Sequence, residues 1–540
     1  MNKVLLSIVF ISLVFTQSII SQVFETNLPI LKIVSEAIIL DEPKVKATLE
    51  IIDNATGLNK STDLPTIKHN IGIEYRGSSS QSVSPKKPFG FETRNENGEN
   101  LNISLLGLPA ENDWVIISPY SDKSLIRDHL SYTIARQMNR YANRTRFVEL
   151  IVNGEYYGVC ILGEKIKQGK NRVDIAKLKV TDITGDDLTG GYIVKIDKTT
   201  GARSLGWNSA YSSPLRPHLF QVEYPKTEDL KTEQFNYIKK VVNDFEQRLQ
   251  SVDFKDPEKG YPKVIDVESL VDYFLVNEIT RNVDAYRLST FFYKDKNSKN
   301  PKLVMGPVWD FNLAFGNANY CQGWLHTGWA YRFNDVCPSD PVGGVPFWWQ
   351  RLLQDENFQT KLKARWNDLR ANSLSTEKIM FQLDSSVALL KTGQVRNFEK
   401  WTILGRYIWP NQYISKTYLE EITYTKDWLK QRLDWMDNSA LLNSKLLPSE
   451  ALLVDIEKPN IYPNPVFEKT KISFGTTRNE QVKGEIFDSF GRKVKTVFNQ
   501  KFNIGEYIFD FNRNNLPAGI YYFKLEKNSK PAYIQKIILI

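Results

Sequence analysis

The sequence predicts an α+β protein that ends in a separate, smaller all-β domain. Residues from about Leu28 to Asp197 read mainly as short strands and turns with one strong helix, and helical periodicity dominates from Glu228 to about Asn282 and again from Phe347 to about Leu442. From about Pro459 the chain returns to short alternating strands. A strand-rich part followed by a helical part is compatible with a two-lobed domain, a layout that many α+β enzymes share.

The composition narrows the chemistry that the chain can perform. A length of 540 residues allows about two to four domains, and a mean hydropathy of −0.37 excludes a polytopic membrane protein. The net charge of +8, from 70 Lys and Arg against 62 Asp and Glu, comes without a clustered basic arm and argues against nucleic acid as a partner. Because the chain has three cysteines and four histidines, its chemistry must come mostly from carboxylates, amides, lysines and aromatic side chains.

Residues 1–22 have the pattern of a secretory signal peptide. A single early charge at Lys3 precedes an apolar run from Val4 to Phe15, and the small residue Ser21 suits cleavage. The run is shorter than the roughly 20 apolar residues that a membrane span requires, and a buried N-terminal helix is the alternative. We therefore expect an exported chain that begins near Gln22 and has no transmembrane span.

Export decides how the cysteines are interpreted. Cys321 and Cys337 flank a loop rich in Gly, Trp and Asn, and in an oxidising compartment we expect them to form a disulfide. Cys160 lies in an apolar, strand-like run, Tyr157–Leu162, where we expect a buried free thiol.

The helices of the central region follow from apolar spacing. The first is predicted to begin near the capping residues Ser121 and Asp122, and its core stripe consists of Ile126, Leu130, Ile134 and Met138. Helical periodicity from Glu228 to about Asn282 is followed by a predicted strand pair, Thr290–Tyr293 and Leu303–Gly306. After Phe347 the chain is again predicted to be largely helical.

Residues 459–540 predict a small β-sandwich after a linker at residues 441–458. The predicted strands include Lys471–Phe474, Gly484–Asp488, Tyr507–Phe511 and Ile520–Leu525. Three motifs, Ile461–Pro465, Phe487–Arg492 and Leu516–Tyr521, resemble the C-terminal sorting domain of type IX secretion cargo. The resemblance implies passage through the periplasm and across a Bacteroidetes-type outer membrane by the type IX machinery, followed by release or surface attachment. A plain adhesive sandwich is the alternative.

Two acids stand out in the central region. Asp284 follows a predicted helix that ends at Thr280, and Asp310 ends an apolar strand and is followed by Phe311 and Asn312. The intervening hairpin can bring the two carboxylates to one edge of a cleft. Phosphoryl transfer needs such a pair, because one carboxylate orients the attacking hydroxyl and the other holds Mg²⁺ against the phosphates. The alternative is that both acids cap turns.

Beyond the acids, residues 28 to 440 resemble the CotH (spore coat protein H) family of atypical protein kinases. The segments that carry the resemblance are Glu74–Gln81, Pro85–Glu92, Leu105–Pro109, Asn112–Trp114, Tyr120–Ser124, Thr145–Leu150, Asn153–Gly158, Gly163–Ile166, Gly190–Ile193 and Trp309–Asn312. The resemblance implies a kinase-like two-lobed domain over residues 23–440. It also implies transfer of the γ-phosphate of ATP to Ser or Thr of an exported protein, with Mg²⁺ or Mn²⁺.

The same resemblance assigns the two acids. Asp284 matches the catalytic acid, and Asp310, with Asn312 beside it, matches the metal-binding acid. Kinases of this kind often carry an Asn about five residues beyond the catalytic acid, but the stretch Tyr286–Thr290 contains none. Asn312 would then take over that role, or metal binding would be weaker.

The same resemblance implies that the turn Arg76–Ser79 lies over the phosphates, with further cofactor-binding residues on nearby strands. Gly77 and the small serines beside it expose backbone N–H groups and hydroxyls to an anion, although an ordinary hairpin turn is the alternative. The candidates are Arg76, Ser78 and Ser79 on the turn, Lys87 on the following strand as the phosphate-contacting lysine, Glu164 and Lys195.

Two other functions are open at this point. Six tryptophans fall within 58 residues, at positions 309, 324, 329, 348, 349 and 366. Exposed, they would bind polysaccharide by stacking, whereas buried they would only pack the core. A catalytically weak or inactive relative that serves as a structural or assembly protein at the cell surface is the remaining alternative.

Overall fold

The computed structural model describes residues 23–199, 204–212, 216–337, 343–443, 459–462, 464–476, 480–502, 505–514, 516–528 and 530–540. The predicted signal peptide, residues 1–22, and most of the predicted linker, residues 444–458, lie outside the described residues. The described residues form two compact units. One consists of the residues up to Phe358 together with Asp368–Leu433, and the other of Gln359–Asn367 and the residues from Asp434 onward.

The larger unit begins with a closed barrel of seven strands. The elements of this part are β1 (Glu25–Thr26), β2 (Ile30–Ser35), β3 (Val45–Ile52), β4 (Asn59–Lys60), β5 (Ile67–Tyr75), α1 (Ser79–Val83), β6 (Phe89–Arg94), β7 (Ile103–Leu105), β8 (Leu108–Glu111), β9 (Asp113–Ile117), α2 (Arg127–Gln137), β10 (Thr145–Val152) and β11 (Glu155–Glu164). The barrel order is β10-β11-β9-β6-β5-β3-β2, and the parallel pair β10–β2 closes it. Alternate residues such as Leu31, Ile33, Leu49 and Ile51 fill its interior, as the two-residue period of a strand requires.

The predicted first helix is confirmed, with a later start. All four residues of its predicted core stripe are buried. The Asp122 carboxylate accepts hydrogen bonds from the backbone N–H groups of Ser124 at 3.0 Å and Arg127 at 2.9 Å. Because Asp122 satisfies these donors from outside the helix, α2 begins only at Arg127.

A five-stranded antiparallel sheet and a set of helices follow the barrel. These elements are α3 (Gly185–Leu188), β12 (Tyr192–Ile196), β13 (Gly206–Asn208), β14 (Leu219–Tyr224), α4 (Thr232–Gln250), α5 (Val267–Thr280), β15 (Thr290–Lys294), β16 (Leu303–Met305), α6 (Phe333–Val336) and α7 (Trp348–Leu352). The sheet order is β13-β14-β12-β15-β16, so the predicted pair β15–β16 is confirmed. However, β16 stops at Met305 and does not reach Asp310, since Pro307 has no N–H to continue the ladder.

The remaining helices confirm the predicted helical stretch after Phe347. They are α8 (Glu356–Ala371), α9 (Thr376–Leu389), α10 (Gly393–Lys400) and α11 (Tyr418–Asp437). Among the described helices, none has the length and apolar character that crossing a membrane would take.

The C-terminal region is all-β, as predicted. Its strands are β17 (Asn460–Tyr462), β18 (Lys469–Thr476), β19 (Glu480–Asp488), β20 (Lys493–Phe502), β21 (Gly505–Asn512), β22 (Gly519–Lys527) and β23 (Lys530–Leu539). They form a three-stranded sheet, β17-β18-β21, and a four-stranded sheet, β20-β19-β22-β23. One apolar core, which includes Phe474, Ile486 and Phe523, draws on both sheets.

Both cysteine predictions are confirmed. Cys321 and Cys337 form a disulfide, and Cys160 is a fully buried free thiol on β11.

Candidate active site

Asp310 lies in a strained backbone conformation that three neighbours hold in place. Its φ of 65° is in the left-handed region, which few residues other than glycine adopt. Its backbone N–H donates to the Tyr132 hydroxyl at 3.2 Å, and its carbonyl accepts from the Asn282 amide at 2.9 Å. The next N–H, of Phe311, donates to the buried Asp128 carboxylate at 2.7 Å. Strain of this kind persists only where the surroundings fix it, and it is concentrated at functional sites.

The Asp310 carboxylate stands among other acids. Asp310 is exposed to solvent, although the surrounding protein partly desolvates its carboxylate. This desolvation, together with the carboxylates of Asp128, Asp284 and Asp197, raises the pKa of Asp310 to about 7, while Lys198 opposes the shift. Burial and Asp284 also raise the pKa of Asp197. We call Asp197, Asp284 and Asp310 the acidic recess.

Asn282 connects the two acids that the sequence singled out. It follows α5, which ends at Thr280 as predicted, and its side-chain oxygen accepts the backbone N–H of Asp284 at 3.3 Å. Since its amide also binds the Asp310 carbonyl, one buried side chain sets the spacing between the two acids. Arg287 lies 3.4 Å from the Asp284 carboxylate. Within the stretch Tyr286–Thr290, which contains no Asn, Arg287 therefore orients the Asp284 carboxylate.

Cations from the barrel and from β12 face the acidic recess. The Arg76 guanidinium lies 5.1 Å from the centre of the Trp309 ring. Burial lowers its pKa, and Glu223 and Asp310 are among the anions that oppose this shift. The Lys198 ammonium donates to the Ser79 hydroxyl at 2.6 Å, which joins the end of β12 to the turn after β5. Arg76 and Lys198 therefore interact with nearby carboxylates, and Lys198 also binds the serine-bearing turn.

Two further lysines meet at Glu223 on β14. Lys195 forms an ion pair with Glu223 at 2.9 Å. Lys165, immediately after β11, is half-buried beside Arg76, Asp113 and Glu223, and burial lowers its pKa. Among the described residues it has electrostatic neighbours but no hydrogen bond or ion pair. An ammonium in this state is well suited to bind an added anion. We call Arg76, Lys165, Lys195 and Lys198 the basic rim.

The structure brings five of the nine sequence-predicted site residues into this region. They are Asp284, Asp310, Arg76, Ser79 and Lys195. Ser78 stands at the N-terminus of the short helix α1, next to Ser79. The side chain of Asn312 forms no hydrogen bond with any described residue, although its carbonyl accepts from Asn317.

Glu164 and Lys87 are occupied elsewhere. The fully buried Glu164 carboxylate is bound by Arg144, Arg172 and Tyr141. Lys87 precedes β6, whereas the sequence placed it on the strand, and its ammonium lies 4.8 Å from the centre of the Tyr75 ring. Neither side chain makes a described contact with the acidic recess.

Several residues of the site escaped the sequence analysis. Asp197 directly follows the apolar strand β12, and an acid after an apolar run is the sequence pattern that singled out Asp310, so the same pattern could have identified Asp197. Lys165 lies inside the segment Gly163–Ile166, one residue beyond Glu164. Glu223 and Asn282 carry no local signal, because only the tertiary fold shows what they contact.

The donor set suits a hard divalent cation bound through few protein ligands. Within the described part of the chain, no three His, Cys, Asp or Glu side chains are grouped closely enough to hold a metal ion by themselves. Mg²⁺ is usually bound by one or two carboxylates, with water and substrate phosphates as the other ligands. Asp310 and Asp197, whose pKa values are raised by desolvation and by neighbouring carboxylates, are compatible with that arrangement.

Comparison with known proteins identifies two regions. The family model described as CotH kinase protein matches residues 73–436, and the model of the secretion system C-terminal sorting domain matches residues 460–540. No curated protein matches the chain.

Two solved structures are similar over parts of the chain. Dimeric latent PorU from Porphyromonas gingivalis is 19% identical over 15% of this chain and 9% of its own, with a TM-score of 0.14. The alkylpurine DNA glycosylase AlkC of Pseudomonas fluorescens, bound to DNA containing an abasic site analog, is 13% identical over 39% of this chain and 59% of its own, with a TM-score of 0.13. The chain therefore spans less than two thirds of either protein, and likenesses this weak carry no argument about function.

Proposed function

This chain belongs to the CotH kinase protein family, and we propose that it is a secreted protein kinase that transfers the γ-phosphate of ATP to Ser or Thr of an exported protein. The C-terminal sorting domain directs the chain through type IX secretion to the cell surface or outside the cell. The proposed acceptor is therefore itself an exported protein.

One observation carries the proposal. Asp284 and Asp197 lie close enough to Asp310 to raise its pKa, and Asp284 also raises the pKa of Asp197. Arg76, Lys195 and Lys198 of the basic rim interact electrostatically with Asp310 or Asp197. Phosphoryl transfer is catalysed mainly by positioning and by electrostatic stabilisation, which needs carboxylates for a metal and cations for the phosphates. If Asp284 and Asp310 only capped turns, there would be no reason for both a further carboxylate and several cations to lie around them.

The acids have separate roles in this proposal. Asp310, with Asp197 beside it, would hold Mg²⁺ or Mn²⁺. When bound, such an ion neutralises negative charge on the phosphate oxygens. Asp284, held by Asn282 and Arg287, accepts the proton of the attacking hydroxyl or orients that hydroxyl.

The basic rim and the turn after β5 would contact the phosphates. Lys165 replaces Lys87 as our candidate for the phosphate-contacting lysine, because it lies beside Arg76 without a direct partner among the described residues. Ser79 already accepts a hydrogen bond from Lys198, so an anion bound there would find both a hydroxyl and an ammonium.

We also propose that the barrel and the sheet-and-helix part after it correspond to the two lobes of a kinase-like domain. The site lies where the ends of β5 and β11 from the barrel meet the ends of β12 and α5. The support for the two lobes is this placement of the site between the ends of the four elements. The domain limits at residues 23–440 and 459–540 remain part of the same proposal.

Metal-dependent nucleotide binding tests the proposal. ATP with Mg²⁺ or Mn²⁺ should raise the unfolding temperature of the full chain, because a ligand that binds only the folded state stabilises it. Asp310→Asn should remove the metal-dependent part of the shift, since Asn tolerates the left-handed conformation but is a weaker metal ligand. Asp384→Asn is the matched control, because Asp384 forms an exposed ion pair with Lys426.

The control variant should respond to nucleotide like the unaltered chain. If ATP with either metal leaves the unfolding temperature of the unaltered chain unchanged, the kinase proposal is wrong. The alternative of a non-catalytic surface or assembly protein of the same family would then be favoured.

A further inference from the structure

A second recess of the larger unit is lined by aromatic and neutral polar side chains. Its volume is about 670 Å³. Its lining residues, which we call the aromatic groove, are Trp324, His326, Tyr413, Thr417, Leu419, Glu420, Thr423, Tyr424, Asp427, Trp428 and Gln431. Six of these residues, from Glu420 to Gln431, recur three or four positions apart on α11 and so form one stripe along the helix. The groove is therefore elongated, and none of its lining residues belongs to the acidic recess or the basic rim.

The wall opposite α11 is held rigidly. Trp428 donates its indole N–H to the Trp324 carbonyl at 2.8 Å. Arg432 donates to the carbonyls of His326 at 3.0 Å and Gly328 at 2.7 Å. The disulfide between Cys321 and Cys337 closes the same loop. A preformed wall lowers the entropic cost of binding a ligand.

Exposed aromatic rings at and beside the groove each have one face covered by protein. Tyr413 stacks on Tyr424 with ring centres 4.6 Å apart and planes 12° apart. Trp409 stacks on Tyr320 at 6.1 Å and 2°. Tyr413 is 37% exposed and Trp409 52% exposed, so the outer face of each ring is open to a ligand. Four residues span at most about 14 Å, which places these two rings within reach of one extended polymer.

The charges of the groove favour a neutral ligand rich in hydroxyl groups. Its lining contains no Lys or Arg, and burial lowers the pKa of His326. Its charged residues are Glu420, which already accepts the Lys416 backbone N–H at 2.7 Å, and the exposed Asp427. An acidic polymer would meet repulsion here, and a strongly basic peptide would find a single unengaged carboxylate.

We propose that the aromatic groove, together with Trp409, binds a neutral polysaccharide. The apolar C–H faces of successive sugar rings would pack on Trp409 and Tyr413, while sugar hydroxyls bond to Thr423, Asp427 and Gln431. A protein delivered to the cell surface or outside meets such polymers there. The inference does not depend on phosphate transfer, because none of these residues belongs to the candidate active site.

The structure also changes which aromatics are relevant to sugar binding. Of the six tryptophans that the sequence suggested, Trp329, Trp348, Trp349 and Trp366 are buried, which bears out core packing for these four. Trp309 is half-buried against Tyr132 and Arg76. Trp324 is the one member of that set that lines the groove.

Affinity electrophoresis of the full chain tests the proposal. Gels would contain laminarin, xyloglucan or glucomannan as neutral polymers and alginate as an acidic one. Pentalysine would be titrated separately by calorimetry. We expect at least one neutral polymer to retard the unaltered chain, and Trp409→Ala with Tyr413→Ala to weaken that binding by about tenfold or more. Phe381→Ala is the matched control, because Phe381 is an aromatic residue on α9 that is 67% exposed and lies outside the groove.

Unchanged unfolding temperatures would show that the variants are folded. Asp310→Asn should bind polysaccharide normally, so failure of the kinase proposal would leave this one standing. Asp427→Asn removes the charge but keeps a side chain that can hydrogen-bond a sugar hydroxyl, so it should weaken binding of a neutral polymer by less than the double variant does. The proposal is overturned if no neutral polymer retards the chain, if the double variant binds as well as the unaltered chain, or if pentalysine binds and Asp427→Asn abolishes that binding.

Discussion

At the scale of single residues, the site depends on Asp310. Its left-handed backbone and its crowded carboxylate both cost stability in the free protein. Tyr132, Asn282 and Asp128 compensate by hydrogen bonding to the backbone around it. A metal-binding carboxylate would need to be held in this way, so that it is already in position when the ion arrives.

The raised pKa of Asp310, caused by desolvation and by neighbouring carboxylates, predicts a pH-dependent stability. An unfolded Asp titrates near 3.8 and folded Asp310 near 7, so between those values the folded state holds more protons and its stability falls as pH rises. Asp310→Asn removes the charge and should therefore raise the unfolding temperature at pH 8, with little effect at pH 4. Thermal denaturation in metal-free buffer would measure this.

The same series needs Asp384→Asn as its control, because Asp384 lies on the exposed face of α9. An equal rise in the unfolding temperature of Asp384→Asn at pH 8 would show that the effect is not specific to the acidic recess. A loss of stability in Asp310→Asn at pH 8 would contradict the account.

At the scale of secondary-structure elements, α2 fixes the segment that carries Asp310. Asp128 and Tyr132 lie one turn apart on α2 and are hydrogen-bonded to each other at 3.3 Å. Together they accept two successive backbone N–H groups, those of Asp310 and Phe311. The Tyr132 ring also stacks on Trp309 at 6.0 Å. The helix therefore sets the position of the site.

Removing the Tyr132 hydroxyl, one of the two acceptors that hold this backbone, should lower the rate of phosphate transfer more than it lowers the stability of the fold. Tyr132→Phe leaves the Asp310 N–H without its partner and should lower the free energy of unfolding by about 1 kcal/mol. Phosphate transfer should fall by about tenfold to a hundredfold, with nucleotide affinity less affected, because misplacement of a positioned group is costly. Steady-state kinetics beside Tyr522→Phe, an exposed tyrosine of the sorting domain, would measure the effect. Equal activity in both variants would contradict the positioning role.

The sequence predicted most elements of the fold but only part of the site. Apolar periodicity identified α2, the pair β15–β16 and the strands of the C-terminal region, because each of these elements buries one face. Periodicity could not reveal that the first strands close into a barrel, since the parallel pairing of β10 with β2 joins residues far apart in the chain. For the same reason the sequence contained no sign of Glu223 and Asn282. The sequence also suggested Glu164 as a cofactor-binding residue, but in the fold arginines bind that carboxylate.

At the scale of the whole molecule, the chain combines a candidate enzyme with an export signal. The sorting domain has its own apolar core, formed by side chains of its two sheets. Its family is established independently of the catalytic question. Secretion should therefore depend on the C-terminal strands and not on the acidic recess.

Deletion of residues 459–540 should trap the protein in the periplasm, because the truncated chain lacks the signal that the type IX machinery reads. Cell fractionation and immunoblotting of the deletion variant beside full-length Asp310→Asn would measure this. The full-length variant should be exported normally. Unchanged export after the deletion would refute this role of the domain.

The central claim is that Asp310, with Asp284, supports phosphate transfer. The most direct measurement is transfer of the labelled γ-phosphate of ATP to a Ser-rich exported acceptor, with Mg²⁺ or Mn²⁺, by the unaltered chain, Asp310→Asn and Asp384→Asn. We predict transfer by the unaltered chain and the control, and a loss of about a thousandfold or more in Asp310→Asn, whose folding should be intact. Transfer at an equal rate by Asp310→Asn, or none by the unaltered chain under any of these conditions, would contradict the claim.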